Sequence, residues 1–499
     1  MVIPFYGIMM HEIDKIIANP NNEVFILSCD GILRNCFVNN TTDRSLCEVC
    51  KFARNVGENS YKGRVKTLRI GNFANINEIQ FPEFAYENIV DIQNIVYKNC
   101  YIGYGALSSY VSYTRNQEPV MDTEFRKYFN DLLASEIILI TAMENLLDEI
   151  NFDEVFLYNG RWADVRPVFD ICKNRNINVN VLESVNNGTT SFDREIYVNV
   201  LPQDIHYRDQ IINRIWEESC LDPQVKEEQA SAFYKKRKNA DFVRGDIKVF
   251  TADQQAEKLP DNWDTSKRNI VIFNSSEDEF IALGAEWEQY RIFKSQESGI
   301  SELLTEFINN NEFHFYLRIH PNLIKVPYGY HKRLSDLENE FRNVTVIPGD
   351  SPVSTYKLID QSEKVIVFGS TVGAEACYWR KPVILLGGTT YYLQNVAYIP
   401  ADLAETTTLI SRNSLEPKPI TGALKYGFYL LNHQLYSETI KNEPYPIKFF
   451  GKTFGYGFKH MQIWNSALLF KVFYKLYISF VRLKNLLKNN HNTVPAKGY

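Results

Sequence analysis

The sequence predicts an α/β protein of two Rossmann-like domains in tandem, and three observations carry that prediction. Its 499 residues exceed what one ordinary hydrophobic core organises. Short apolar runs recur along the chain with segments of helical length between them, the pattern of strand, crossover helix and parallel strand. Between about 205 and 245 this rhythm gives way to a polar, charged stretch that includes DPQVKEEQASAFYKKRKNADFVRGD, and afterwards it resumes.

In the first half the apolar runs are EVFILSC (23–29) and VKTLRI (65–70), followed by a long stretch with helical spacing, TEFRKYFNDLLASEIILITAMENLLDEI (123–150). Next come DEVFLYNGR (153–161), read as a buried strand ending in a turn, VRPVFDICKNR (165–175) as a helix, and NVNVLES (178–184) as a strand. The polar stretch reads as a helical connector, so the first domain is expected over 1–240.

The second domain is expected over 241–414. Its strands are RNIVIFN (268–274), HFYLRIH (314–320), NVTVIP (343–348), KVIVFG (364–369) and PVILLG (382–387). Right-handed crossovers between such strands place ligands at their carboxyl ends.

The C-terminal segment, 415–499, is expected to be helical. TGALKYGFYLLNHQLY reads as a helix able to cross back to the first domain. Residues 461–490 combine leucines and aromatics with Lys471, Lys475, Arg482, Lys484 and Lys488. Such a helix suits an anionic membrane surface, or packing on its own domain or a partner.

A net charge of −6 argues against a nucleic-acid partner, which calls for a basic stripe. The start, MVIPFYGIMMHEIDK, lacks the basic residues of an export signal, and no run of eighteen uncharged apolar residues suggests a membrane span. The expected location is the cytoplasm, with possible peripheral attachment to the inner face of the membrane. Eight cysteines are too sparse for a disulfide scaffold. Cys29, Cys36, Cys47 and Cys50 end in a CEVC pair with zinc-knuckle spacing, and the alternatives are a structural metal and buried free thiols.

The chemistry concentrates where strands of the second domain end. Ser275, Ser276 and Glu277 follow the first strand, with hydroxyls at an expected helix cap. Arg318 and His320, two residues apart and therefore expected on one face, precede Pro321. Gly349, Asp350 and Ser351 suggest another cap. After KVIVFG come Ser370, Thr371, Gly373 and Glu375. A helix beginning near Thr371 offers unpaired N–H groups to a phosphate, and the two hydroxyls add donors. Gly373 permits close approach by a ligand or a neighbouring strand. Glu375, one turn on, has the reach to accept from a ribose diol. The competing reading makes the hydroxyls simple caps and Glu375 a surface acid. His320 suits donation to a leaving phosphate, against the alternative of a structural histidine.

RIHPN followed by FGSTVGAEACYWRKPVILLG resembles the donor half of GT-B glycosyltransferases of bacterial capsule and lipopolysaccharide biosynthesis. The two stretches are similar to the histidine-proline and serine-serine/threonine motifs of bacterial sialyl- and polysialyltransferases and of related Kdo transferases and polyol-phosphate polymerases. FNSSEDEF…ALGAEW and, in the first half, CDG…C…CxxC with YNGR resemble the same group. The likeness implies a GT-B fold, His320 assisting departure of the donor phosphate, Ser370 and Thr371 binding it, and Glu375 holding the ribose. The acidic motif that supplies the acceptor-activating base has only Ser28-Cys29-Asp30-Gly31 as a counterpart, which makes Asp30 the first candidate base, with Asp164 and Glu277 as alternatives. Asn159, Arg161 and Asp164 are candidates for acceptor contact; a turn and a surface ion pair would explain the first two equally.

The expected function is inverting, metal-independent transfer from a CMP-, UDP- or GDP-linked sugar to a glycan or lipid-linked glycan of the cell surface, with no cofactor. The rivals are an enzyme like the UDP-sugar 2-epimerases, and a non-catalytic glycan-assembly protein on a degenerate transferase fold.

Overall fold

The computed structural model describes residues 3–432 except 38, 41, 43, 60, 187–190 and 242–249, together with 438–441, 447–449, 452–454, 476 and 479. The segment 461–490 therefore lies outside the described residues apart from Leu476 and Ser479.

Strands are numbered in chain order. The second half is built on five parallel strands: β6 (Arg268–Phe273), β7 (Phe313–Arg318), β8 (Val344–Ile347), β9 (Lys364–Val367) and β10 (Val383–Leu385). Their spatial order is β10-β9-β6-β7-β8. All five expected strands are present. They were readable because a parallel sheet covered on both faces needs near-continuous apolar runs. Ile270 and Ile272 of β6 enter one core with Phe315, Leu317, Ile366 and Ile384. Val271 and Phe273 enter the opposite one with Tyr316, Val365, Val367, Val383 and Leu385. The period of two thus feeds both faces.

The chain starts this sheet at β6, moves outward through β7 and β8, then returns to lay β9 against the other edge of β6. The topological switch point lies between β6 and β9, where crossovers diverge and leave a crevice at the strand ends.

The first half is also α/β, but its sheet is divided. β1 (Phe25–Ser28) and β2 (Lys66–Arg69) form a parallel pair by themselves. β3 (Glu154–Tyr158) and β4 (Asn178–Asn186) pair in parallel, whereas β5 (Ser191–Val198) runs antiparallel to β4. The reason is connection length: the few residues between β4 and β5 allow a hairpin, and a parallel crossover needs about a dozen or more. Helix Thr123–Glu149 is capped by Asp122, which accepts from Phe125 N at 2.8 Å. It supplies Phe129, Leu132, Ile137, Ile138 and Ile140 to the first core.

The connector forms helices Ile205–Glu218 and Pro223–Lys238. Although grouped with the first domain on sequence, they place Ile212, Ile215, Ala230, Phe233 and Tyr234 in the second half's core, with Tyr426 and Phe428 of helix Thr421–Asn432. The return to the first half, expected of that helix, is made instead by a strand, β11 (Glu438–Lys441), antiparallel to β5, so the segment after 415 is not wholly helical as expected. Among the described residues no helix is long and apolar enough to cross a membrane.

The loop after β6 joins the halves. Ile281 and Ala282 are buried in the first core. Gln93 Nε2 donates to Ile281 O at 2.9 Å and Arg166 Nη1 to Leu283 O at 3.3 Å.

Candidate functional site

At the switch point the turns after β6 and β9 almost touch. Gly369 has φ +76°, and a Cβ on it would come within 2.7 Å of Gly388 O and 3.9 Å of Ser275 Oγ. Glycine is required there by both conformation and space. Ser275 is clamped by Gln296, giving its N–H to Oε1 at 2.9 Å and accepting from Nε2 at 2.8 Å. Ser276 Oγ lies 3.4 Å from His320 Nδ1 and makes no helix cap, contrary to expectation.

His320 stands just beyond β7, with its backbone N–H donated to Asn274 Oδ1 at 2.8 Å. Asn274, which ends the apolar run of β6, was missed in the sequence; a polar residue closing a buried strand was its only signal. The Asn322 N–H donates to His320 Nδ1 at 3.2 Å. A neutral imidazole accepting there carries its proton on Nε2. Pro321 opens the following turn, where its missing N–H costs nothing.

Arg318 was expected to share a ligand-facing side with His320. β7 ends at Arg318, so strand periodicity no longer relates the two. The guanidinium is buried and donates from Nη2 to Ser351 O at 3.0 Å and Gly349 O at 3.4 Å. Burial lowers its pKa to about 10, against the opposing charge of Asp350. It braces the turn after β8. In that turn Ser354, rather than Ser351, caps the next helix by accepting from Lys357 N at 3.1 Å.

The helix after β9 spans Val372–Tyr378, with Thr371 before it and no side-chain cap from Thr371. Ser370 Oγ accepts from Val372 N at 3.4 Å. A Cβ on Gly373 would collide with the Tyr391 hydroxyl and lie 2.9 Å from Val367 Cγ2, so the close neighbours here are protein atoms. Tyr391 Oη donates to Ser370 O and so ties down the turn.

Glu375 is the main correction. It is 2% exposed, its Oε1 is paired with Arg237 Nη2 at 3.1 Å, and its Oε2 accepts from Tyr356 Oη. A carboxylate this deep needs such partners, and with both oxygens engaged it does not present an open grip for a ribose. Glu277 is similarly committed: it accepts from Gln296 N at 3.1 and 3.2 Å and pairs with Arg291 at 3.3 Å. Burial raises its pKa. Its carboxylate thus meets the first N–H of helix Gln296–Glu306, whose side-chain cap is Ser295, and both oxygens are engaged by protein groups.

A cavity of about 420 Å³ opens between the halves, lined by Ser108, Arg161, Gln203 and Glu279 among others. This is within the range of small-molecule sites. Of the three expected acceptor contacts, Arg161 lines it and Asn159 and Asp164 do not. Asn159 has φ +65°, is buried, and donates from Nδ2 to Glu183 Oε2 at 3.0 Å, so it is a turn residue. Asp164 has its pKa raised by burial, and its Oδ1 has no hydrogen-bond partner among the described residues. Asp30 follows β1 as expected but is also outside this lining; a Cβ on Gly71 would strike its carboxylate. Two carboxylates within the quoted SSEDE run, Asp278 and Glu279, stand on the wall and were passed over as site candidates in the sequence; Asp278 is paired with Arg115.

Burial pushes the Cys36 thiol up to about 12, helped by Asp164. Asn39 Nδ2 donates to Cys47 Sγ at 3.3 Å, and Gly31 N to Cys29 Sγ at 3.2 Å. Among the described residues no three His, Cys, Asp or Glu side chains gather as a metal site.

Two α/β units, a parallel sheet with its switch-point crevice, and a cavity between the halves define a GT-B-type architecture. Residues 186–401 match the family described as capsule polysaccharide biosynthesis protein, in agreement over that segment with the expected likeness to capsule-biosynthesis proteins. No curated protein matches the chain. Solved structures similar to it include the β-Kdo 2,4 transferase of Thermosulfurimonas dismutans KpsC, with 14% identity, 55% of this chain and 79% of that chain covered, and a TM-score of 0.34. The β-Kdo 2,7 transferase of the same KpsC gives 16% identity, 63% and 85% coverage, and a TM-score of 0.32. The UDP-GlcNAc 2-epimerase of Neisseria meningitidis, bound to UDP-GlcNAc, gives 16%, 60% and 82%, and 0.24.

Proposed function

We propose that this protein is an inverting, metal-independent glycosyltransferase that moves a sugar from a nucleotide-sugar to an acceptor glycan in capsule or related surface-polysaccharide synthesis. The observation that carries the reading is the setting of His320. It is anchored to the end of β6 through Asn274, with Nδ1 occupied by Asn322 N–H, so that Nε2 holds the proton.

In this reading the donor phosphates lie at the switch point against Ser275, Ser276, Ser370 and Thr371. His320 Nε2–H donates to the phosphate oxygen that leaves, offsetting charge as the bond from anomeric carbon to oxygen breaks. The acceptor hydroxyl, held in the cavity between the halves, forms the new bond to that carbon and gives up its proton. Glu279 is the base this geometry favours, because it lines the cavity and Asp30 and Asp164 do not. The basic, aromatic segment 461–490 supports work on a lipid-linked or surface glycan at an anionic membrane.

The test is nucleotide release from CMP-, UDP- and GDP-sugars, with and without acceptor oligosaccharides, by the protein and its His320→Ala variant. Acceptor-dependent release, reduced about 100-fold or more by the substitution, supports the reading. Release indifferent to both, or a product that keeps the donor's anomeric configuration, overturns it.

A further inference from the structure

We propose that the cavity between the halves is an acceptor subsite for a sugar carrying an anionic group, a carboxylate or a phosphate, held by Arg161. The inference rests on the transferase reading and adds the chemical class of its acceptor.

Arg161 lines the cavity, and its guanidinium has no ion-pair or hydrogen-bond partner among the described residues; Nε is buried without one. The acids within its electrostatic reach are Glu183 and Glu279. Glu183 is already used, accepting from Tyr158 Oη at 2.7 Å and Asn159 Nδ2 at 3.0 Å. Asp278, on the same wall, is taken by Arg115. Glu279 is exposed. Burial lowers the Arg161 pKa, which reflects the cost of a cation left without a close counter-ion.

The side chain is set deliberately. Asn159 and Gly160 both have positive φ, +65° and +77°, and Arg161 N donates to Asn159 Oδ1 at 3.3 Å. A Cβ on Gly160 would be 2.8 Å from Leu201 Cδ2, so the turn admits no side chain at that position. Beside the guanidinium, Ser108 is 2% exposed and its Oγ has no partner among the described residues, nor has Gln203 Oε1. Buried polar atoms of this kind are normally satisfied, and here they face one cavity. A fork of donors beside a hydroxyl and an amide oxygen fits an acid group flanked by sugar hydroxyls.

The test is NMR titration of the full chain with methyl glucuronoside, methyl glucoside and methyl glucoside 6-phosphate at constant ionic strength. The expected result is that at least one anionic sugar binds about tenfold or more tighter than the glucoside, as a charge-assisted hydrogen bond provides. Arg161→Gln should abolish that advantage, with nucleotide binding retained as the control for folding. Whichever anionic probe is preferred identifies carboxylate or phosphate as the group read. Equal binding of all three by the unaltered protein overturns the proposal even if the variant fails to fold. So does an anionic advantage that survives Arg161→Gln. Arg161-dependent binding without nucleotide-sugar turnover would leave the subsite standing and remove the transferase reading; turnover without an anionic preference would do the reverse.

Discussion

Arg115 clasps Asp278 across the cleft through two hydrogen bonds, Nε to Oδ2 at 2.7 Å and Nη2 to Oδ1 at 3.0 Å. Arg115 belongs to the first half, at the C-terminal end of helix Ile102–Thr114, with φ +59°. Its Nη1 reaches Asn322 O at 3.2 Å, and its carbonyl accepts from Tyr330 Oη at 2.9 Å. One residue therefore ties the first half to the turns after β6 and β7, and Asn322 is the residue whose N–H fixes His320.

Removing the clasp should affect both stability and chemistry. Arg115→Ala leaves Asp278, whose side chain is 4% exposed, without its partner, and breaking a pair that buried costs about 3–5 kcal/mol. Arg115 itself is partly exposed, so about 2–4 kcal/mol is expected in urea unfolding. The double variant with Asp278→Ala should lose less than the sum of the two single variants. Full additivity would show that the two side chains do not interact.

The second sheet was legible because its strands are buried on both faces, and its chemical residues because they follow those strands directly. What a linear sequence hides is who pairs with whom. Glu375 looked like an open acid one turn into a helix, but its partners come from Arg237 in the connector and Tyr356 before β9. Arg115 and Asp278 were invisible for the same reason. The antiparallel β5 was missed because its direction follows from the few residues separating it from β4, a constraint of loop length rather than of hydrophobic pattern.

Glu375→Gln separates the two roles offered for that carboxylate. If it balances Arg237, the variant loses about 2–4 kcal/mol of stability, since a buried guanidinium is left facing a neutral amide, and donor KM changes less than about threefold. A ribose grip predicts the opposite: a KM raised about tenfold or more with little loss of stability. Urea unfolding and donor saturation curves on the same preparations decide between them, and Tyr356→Phe provides a milder version of the same test.

Acid should loosen the return of the chain to the first half. Burial alone would raise the pKa of Glu438, but hydrogen bonds from Lys15 and His11 and the charge of Arg194 outweigh it and hold the carboxyl at about 2. A carboxyl depressed in the folded state stabilises fully above its ordinary pKa near 4.5 and loses that contribution as the pH falls toward 2. The stability difference between the protein and Glu438→Gln should therefore be constant from pH 7 to about 5 and shrink below that. A difference that persists undiminished at pH 2 would show that the ion pairs are not its source.

The turn after β9 depends on a fit between Gly373 and Tyr391. Gly373→Ala drives a methyl into the Tyr391 hydroxyl, the group that also holds Ser370 O. Overpacking of this kind costs about 1–3 kcal/mol, and the displaced turn should raise donor KM severalfold. Tyr391→Phe removes the hydroxyl, so the double variant should recover part of the stability lost in Gly373→Ala; Val367 Cγ2, 2.9 Å from the same methyl, prevents full recovery. Donor KM should not recover, because Ser370 O has lost its tether. Stability and KM recovering together would mean that Tyr391 only fills space, and neither recovering would place the obstruction at Val367.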